Sequence, residues 1–320
     1  MANCNNLFDD FNSKIRLTDV KKSSLKKSRN ALRRKIRVYM KDNKPNEQQP
    51  KFSGQGSFMM DTIINPIPVS DGMGGSLFYY DLDDGIYFFG DIPARKSIGT
   101  YHKWIVEAVS GHTNTFPIDK STCVRTIFAD GHNIDQPIYY MSSDKTPELA
   151  HKIKGWIISD PRKFTQWFND QADKQPQIRR IVRYLKAWAD FKPQNMPSGL
   201  ILTILATENY CSADRDDIAL RDTLKEIEMK LKGNFSCYRP TVPSDEDLLE
   251  NYKSEDAFMK ALATFISNAD KAIENRNQRD ASEYWIKCFG SRFNFGEDKD
   301  EQPKASLLYS VASQSKPYAE

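Results

Sequence analysis

Gly54-Gln55-Gly56-Ser57-Phe58 and Asp81-Leu82-Asp83-Asp84-Gly85 are the two ends of the stretch around which this chain is organised. In the first, two glycines and a serine stand just ahead of an apolar segment. A phosphate-holding loop needs that combination: approachable backbone N–H groups, a hydroxyl beside them and a helix N-terminus behind. The second lies at the end of a strand-like run, residues 77–83, whose side chains alternate faces. Asp81 and Asp83 therefore project together, away from Phe78, Tyr80 and Leu82. Two carboxylates on a rigid surface suit a hard divalent cation, because Mg²⁺ is usually held by one or two carboxylates together with substrate phosphates. Each part taken singly also has a plainer reading. Gly-Gln-Gly-Ser can be a simple turn, and Asp-Asp-Gly can be a hairpin turn with residues 86–89 as the return strand.

With 320 residues the chain is long enough for about two domains and a substantial core. Its composition, 39% hydrophobic and 28% charged with a formal net charge of +3, is that of a soluble globular protein and does not by itself argue for a nucleic-acid partner. No apolar run reaches the roughly 18 residues of a membrane span, and the start lacks the charged-then-apolar pattern of a secretory signal, so a cytoplasmic protein is expected. Cys4, Cys123, Cys211, Cys237 and Cys288 are scattered, which points to reduced thiols rather than a disulfide frame or a zinc site. His102, His112, His132 and His151 show no metal-ligand spacing and read as ordinary core or surface residues.

Residues 1–19 are weakly patterned. Over residues 20–42 the spacing predicts a helix, with Leu25, Leu32, Ile36 and Tyr39 on one stripe and lysines and arginines crowding the remainder. So basic a helix either presents a solvated face or touches nucleic acid or an acidic partner. Residues 43–50 form a polar connector. Residues 59–64 read as a short helix stopped near Pro66, and Gly72, Gly74 and Gly75 as a flexible turn. A helix is expected over residues 97–109 and strands over 123–129 and 133–141. In the last of these Asp135 alternates with Ile134, on the side where a third carboxylate can join Asp81 and Asp83. Asp130 is its rival but reads better as part of the Asp130-Gly131-His132 turn.

From about Pro147 onward the pattern becomes helix after helix. Ser159-Asp160-Pro161 looks like a helix start, and capping alone would explain Ser159. Residues 178–191 bury Ile178, Ile181, Leu185 and Trp188 and leave Arg179, Arg183, Lys186 and Asp190 on a polar stripe, which alone reads as a solvated face. Ser198 also sits where hydroxyls cap helices, ahead of an apolar helix over 200–208. Further helices are expected over 214–232 and 255–275, and Pro243-Ser244-Asp245 has the look of another helix start. Residues 296–320 read as a mobile polar tail with a stickier patch at Leu307-Leu308-Tyr309. The domain division read from this pattern is 1–146 for a bracing helix and core, 147–295 for a helical lobe and 296–320 for the tail.

A glycine-serine loop followed 24 residues later by a same-face Asp pair resembles the polymerase β-type nucleotidyltransferases. The resemblance narrows when Thr122-Cys123-Val124-Arg125, Ile134-Asp135-Gln136-Pro137-Ile138-Tyr139, Arg183-Tyr184-Leu185-Lys186-Ala187-Trp188 and Met196-Pro197-Ser198-Gly199 are added in their order. Together these motifs, covering most of residues 20–295, are similar to the bacterial cGAS/DncV-like nucleotidyltransferases, nearest the branch that makes cyclic dinucleotides. The resemblance implies an α+β fold: a polymerase β-type core of mixed sheet and helices, a C-terminal helical lobe, and a cleft between them. It implies that Asp81, Asp83 and Asp135 are catalytic and hold two Mg²⁺ ions, with Mn²⁺ as the alternative ion. Gln55, Gly56 and Ser57 would belong to the loop for the donor phosphates. Arg125, Ser159, Lys186 and Ser198 would reach triphosphate, sugar or base, and Asp245, carried over on approximate spacing alone, would contact a base.

By the same resemblance, ATP and GTP or other ribonucleoside triphosphates would be joined into a cyclic oligonucleotide second messenger in bacterial anti-phage signalling. A ligase-like partner would act on the C-terminus and a nucleotide-activated effector would lie downstream, with no membrane and no obligatory nucleic acid. Two other classes stay open. A template-free polymerase of the poly(A) or oligoadenylate type shares the core chemistry but releases linear products. A non-catalytic nucleic-acid-binding protein would use the basic helix, although three converging carboxylates would repel phosphate without a metal.

Overall fold

The computed structural model describes residues 1–70, 72, 75–142, 146–192 and 196–300. Helix α1 (Asn5–Ile15) leads into the 25-residue α2 (Asp19–Asn43), which Thr18 caps by accepting from the Lys21 N–H. Strand β1 (Lys51–Gln55) runs straight into the short helix α3 (Gly56–Met59). A small hairpin of β2 (Val69–Ser70) and β3 (Ser76–Leu77) precedes the long strand β4 (Asp81–Phe89). After α4 (Ile98–Val109), capped by Ser97, come β5 (Ile118–Asp119), β6 (Cys123–Ile127), β7 (Asn133–Met141), β8 (Glu148–His151) and β9 (Gly155–Ile158). The remainder is helical: α5 (Pro161–Lys174), α6 (Gln177–Phe191), α7 (Gly199–Glu208), α8 (Asp216–Gly233), α9 (Glu255–Glu274) and α10 (Gln278–Phe289).

The sheet is mixed, in the order β1-β4-β7-β6-β5, with β8 and β9 continuing from β7. Only the β4–β7 pair is parallel among the described strand pairs of that sheet. One sheet face is apolar: Leu82, Ile86 and Phe88 of β4 and Ile134, Ile138 and Tyr140 of β7 pack with Leu25, Leu32, Ile36 and Met40 of α2 and with Tyr101 and Ile105 of α4. The strands alternate, so Asp81, Asp83 and Asp135 are left on the opposite face. Several basic residues of α2 are engaged within the fold, while Lys26, Lys27, Arg34 and Lys41 are exposed. Arg33 pairs with the fully buried Asp84, Lys22 with Asp61, Lys35 donates to the Ser110 carbonyl, and Arg37 lies over the Phe52 ring.

The second core belongs to α1 and α5–α10. The expectation of weak structure over residues 1–19 is corrected here, since α1 buries Leu7, Phe8, Phe11 and Ile15 among the C-terminal helices. Phe8 packs edge-on against Tyr184, Trp285, Phe289 and Phe293. By packing, then, the first fifteen residues go with the helical lobe, while α2 braces the sheet. Phe8→Ala is expected to cost about 3–5 kcal/mol, read from the denaturant midpoint, because the void lies among aromatic rings that cannot collapse into it.

Four other local expectations change. Residues 59–64 are not a helix: α3 starts at Gly56 and stops at Met59, and Asp61 has a positive φ of 53°. Asp83-Asp84-Gly85 is no hairpin turn, because β4 runs through it unbroken, and residues 78–80 lie outside the strand. Gly85 is there for space, since a Cβ would meet Gln55 Oε1 and the Tyr87 ring, each at 2.7 Å. The helices begin at Pro161 rather than 147, after the β8–β9 hairpin has extended the sheet. No helix starts at Pro243-Ser244-Asp245, where the chain makes bends and turns. The expected turn glycine Gly74 and the Leu307-Leu308-Tyr309 patch lie outside the described residues.

Candidate active site

One row of side chains crosses four strands. Gln55 on β1 is the register partner of Asp83 on β4, Asp83 of Asp135 on β7, and Asp135 of Arg125 on β6. Cross-strand partners share a face, so this row and Asp81, two residues before Asp83, present amide, carboxylates and guanidinium to the same side. Asp81 is open, with 49% of its side chain exposed. Asp135 is buried. Arg125 donates to both Asp135 oxygens, at 2.6 and 2.7 Å, and its Nη2 lies 3.6 Å from Asp81, while Lys120 Nζ stands 3.5 Å from Asp135.

Asp83 has no ion pair of its own among the described residues, and the pull of Arg125 and Lys120 on it is the weaker effect. Burial and the charges of Asp81 and Asp135 push it up to about 8. In the metal-free fold Asp83 therefore keeps a proton that the unfolded chain releases near pH 4. Between those values the folded state binds more protons than the unfolded state, so its contribution makes stability fall as pH rises. Melting curves in EDTA from about pH 5 to pH 8.5 are expected to show a wild-type decline that Asp83→Asn removes, with the variant the more stable of the two at pH 8.

The loop after β1 is built against this carboxylate. Gly56 adopts φ +69°, and a Cβ there would run into Asp83 Oδ2, so the backbone conformation and the approach both require glycine. Gly56→Ala is expected to cost on the order of 1–3 kcal/mol and to displace Asp83, read as a lower melting temperature together with lost turnover. Gln55 is buried and its amide is engaged: Nε2 donates to the Tyr139 hydroxyl at 3.2 Å, and Oε1 accepts from Tyr87 at 3.4 Å. Its side chain thus ties the loop to the stacked Tyr87–Tyr139 pair. Ser57 lies in the single turn of α3.

Asp61 fixes the far end of the loop. Its carboxylate meets Lys22 at 2.6 Å, Arg16 at 3.2 Å and Arg183 at 3.9 Å, and its carbonyl accepts from Arg183 at 2.6 Å. Next to it, Thr62 receives Lys186 Nζ at both its carbonyl and its hydroxyl, 3.3 and 3.1 Å away. Burial lowers Lys186 to about 8 against the opposing pull of Asp81. Met60 packs into the helical core and Ile63 into the sheet core, so the segment is held from both sides.

Gln55, Gly56, Ser57, Asp81, Asp83 and Lys186 all line one cavity of about 500 Å³ between sheet and helices. Arg125 and Asp135 adjoin it through Asp81 and Asp83. Besides these two, three more sequence-derived candidates do not line it. Ser159 ends up outside the cap, because Asp160 takes that role toward the Arg162 N–H. Ser198 is exposed and caps α7, accepting from the Ile201 N–H at 3.4 Å. Asp245 is exposed on its turn. Sequence reasoning missed Asp61, Thr62, Lys120 and Arg239, the last also lining the cavity. None of these stands in a motif. Asp61 and Thr62 had one signal, their place just after the glycine-serine loop.

Among the described residues no ready-made group of three or more His, Cys, Asp or Glu side chains could hold a metal ion. Both oxygens of Asp135 are taken up by Arg125. The donor set still fits a hard divalent cation. Asp81 and Asp83 supply oxygen ligands, Asp83 is under-neutralised, and such an ion completes its shell with substrate phosphates and water.

The family description "Cyclic GMP-AMP synthase DncV-like, nucleotidyltransferase domain" matches residues 50–139, the segment that carries the loop and all three carboxylates. Residues 50–139 thus match a DncV-like nucleotidyltransferase domain. Among DncV-like relatives, a cyclic GMP-AMP synthase of Escherichia albertii is 26% identical over 243 residues, covering 68% of this chain and 52% of the relative. The chain thus spans about half the length of that relative. The fold is that of the Vibrio cholerae DncV cyclic AMP-GMP synthase. Its crystal structure with nonhydrolyzable GTP superposes with a TM-score of 0.76 at 20% identity, covering 91% of this chain and 97% of that one. Its complex with the linear intermediate 5′ pppA(3′,5′)pG gives 0.74 at 21% identity with the same coverage.

Proposed function

We propose that this chain joins two ribonucleoside triphosphates, ATP and GTP first among them, into a cyclic dinucleotide. The observation that carries the reading is the meeting of Asp81 and Asp83 with the Gly56–Ser57 turn and Lys186 around one cavity. Its volume falls in the range of small-molecule sites, about 300–1,000 Å³.

In the reaction a ribose hydroxyl on one nucleotide attacks the α-phosphorus of the other. The new O–P bond forms as the bond to the β-phosphate oxygen breaks, and pyrophosphate leaves. Asp81 and Asp83 would hold Mg²⁺ or Mn²⁺, which would supply neutralisation of the charge that builds on the phosphoryl oxygens. The chain's own groups do the rest. Asp135 takes the hydroxyl proton once Arg125 turns from it to the triphosphate. The Gly56–Ser57 backbone and hydroxyl hold the donor phosphates, and Lys186 offsets charge on the departing pyrophosphate. The linear product then re-enters with its ends exchanged, and a second attack closes the ring. Support for two successive joinings comes from the linear intermediate in the Vibrio cholerae complex.

In the same reading the product is a second messenger that activates an effector in anti-phage defence inside the bacterial cytoplasm. A ligase-like partner acts on the C-terminus; residues 301–320 lie outside the described residues. No helix among the described residues is long and apolar enough to cross a membrane.

The test is incubation of the purified protein with each labelled ribonucleoside triphosphate, singly and in pairs, with Mg²⁺. Products whose labelled phosphates resist phosphatase support ring closure. Products with phosphatase-sensitive ends assign the chain to linear polymerisation, and no product at all refutes the reading.

A further inference from the structure

Two cationic side chains face the cavity from the helical lobe, and their surroundings differ. Lys186 on α6 has no carboxylate within ion-pair distance among the described residues; it donates only to Thr62. Arg239 has a dedicated partner. Glu246 Oε2 accepts from its Nε at 2.7 Å and lies 2.6 Å from its Nη2, so one edge of the guanidinium is closed and its charge is balanced.

The mounting of this pair is firm. Arg239 N–H donates to the Glu246 carbonyl at 3.0 Å, and Leu248 N–H donates to the Cys237 carbonyl at 2.9 Å, which clamps the two arms of the turn together. Asp247 Oδ1 accepts from the Cys237 N–H at 2.9 Å, and both Cys237 and Leu249 are buried in the helical core. The Arg239 side chain is 17% exposed. Its Nη1 has no hydrogen bond or ion pair among the described residues, so the end formed by Nη1 and the outer N–H of Nη2 is not taken up by Glu246 in a side chain that lines the cavity.

A charge-balanced, oriented pair of N–H donors is poorly suited to compete for a polyanion, for which Lys186 is the uncompensated cation. It is well suited to two adjacent acceptors on a planar neutral group. Among nucleobases guanine offers that pair, O6 and N7. Adenine offers N7 beside an N6 amino group, whose hydrogens face one of the donors. Phe164 and Leu200, which also line the cavity, supply apolar surface for the flat of a ring.

We infer that Arg239, held by Glu246, is a specificity-determining residue that reads the O6/N7 edge of a guanine nucleotide in this cavity. The inference rests on the proposed function in that a nucleotide must occupy the site.

The test measures equilibrium binding of nonhydrolysable GTP, ITP and ATP analogues to the full chain with Mg²⁺, for the wild type, Arg239→Gln and Arg239→Lys. Inosine keeps O6 and N7 without the 2-amino group, so ITP is expected to follow GTP. Arg239→Gln is expected to weaken GTP and ITP by about ten- to a hundredfold while ATP stays within about twofold. Arg239→Lys keeps the charge but loses the fork, and is expected to behave like the glutamine variant. An equal loss for all three nucleotides would show a phosphate contact or a damaged site and would overturn the assignment. So would an unchanged GTP-to-ATP ratio, or a lysine variant that keeps the ratio. Failure of the broader reading looks different: wild-type protein that binds none of the analogues, or that binds GTP but makes no phosphodiester from the natural substrates.

Discussion

Replacing Asp81 and Asp83 together by alanine is expected to abolish nucleotide joining and leave the protein folded. Both carboxylates stand on β4 at the cleft face of the sheet, and the apolar packing of that strand is carried by Leu82, Ile86 and Phe88 on the other face. Removing them would take away the proposed oxygen ligands of a divalent ion, and a loss on the order of 10³-fold or more is expected for a centre that works by charge stabilisation. Stability is expected to move the other way at pH 8, because an under-neutralised carboxylate pair has been removed. Chromatography of labelled products reads the first effect and thermal melts in EDTA the second. A folded double variant that still makes product would exclude both residues from the chemistry.

Lys186→Met is the second large effect. The side chain reaches from α6, in the helical core, to Thr62, the residue that leaves the phosphate loop. Methionine keeps the length of the stem and removes the charge. Turnover is expected to fall by roughly 10²- to 10³-fold if, as proposed, this charge acts on the pyrophosphate as it departs. The melting temperature is expected to hold or rise, since burial already opposes the charged form and lowers this lysine to about 8. Steady-state rates and a melting curve on one preparation separate the two effects. A variant that loses turnover only through a lower melting temperature would mark Lys186 as structural.

Legibility followed how local the determining interactions are. Strand β7 was expected over residues 133–141 and lies there, because its alternation is decided by burial of Ile134, Ile138 and Tyr140 on one face. The capped, amphipathic α4 was equally plain, as was the run of α2. Helix α1 was not, since the partners of Phe8 and Phe11 are rings of α6 and α10, far along the chain. Asp83-Asp84-Gly85 carries turn chemistry, but its course is settled by tertiary neighbours. Asp84 is held by Arg33 of α2, and Gly85 makes room for Gln55 and Tyr87. Strands β8 and β9 are too short to announce themselves beside the helices that follow.

Within the site, the alternation that puts Asp81, Asp83 and Asp135 on one face was readable from period two alone. What Arg125 does with Asp135 was not. A pairing between neighbouring strands depends on the register, which becomes visible only once Asp135 is seen opposite Arg125. Arg239 was hidden for a similar reason, since only the folded turn brings it beside Glu246 and into the cavity.

The most direct measurement is the anomalous signal of Mn²⁺ in crystals grown with a nonhydrolysable nucleoside triphosphate. The expected result is density bound to oxygens of both Asp81 and Asp83 and to the triphosphate, with Arg125 drawn away from Asp135. Manganese held by the nucleotide alone, or seated elsewhere with Asp81 and Asp83 unliganded, would contradict the assignment.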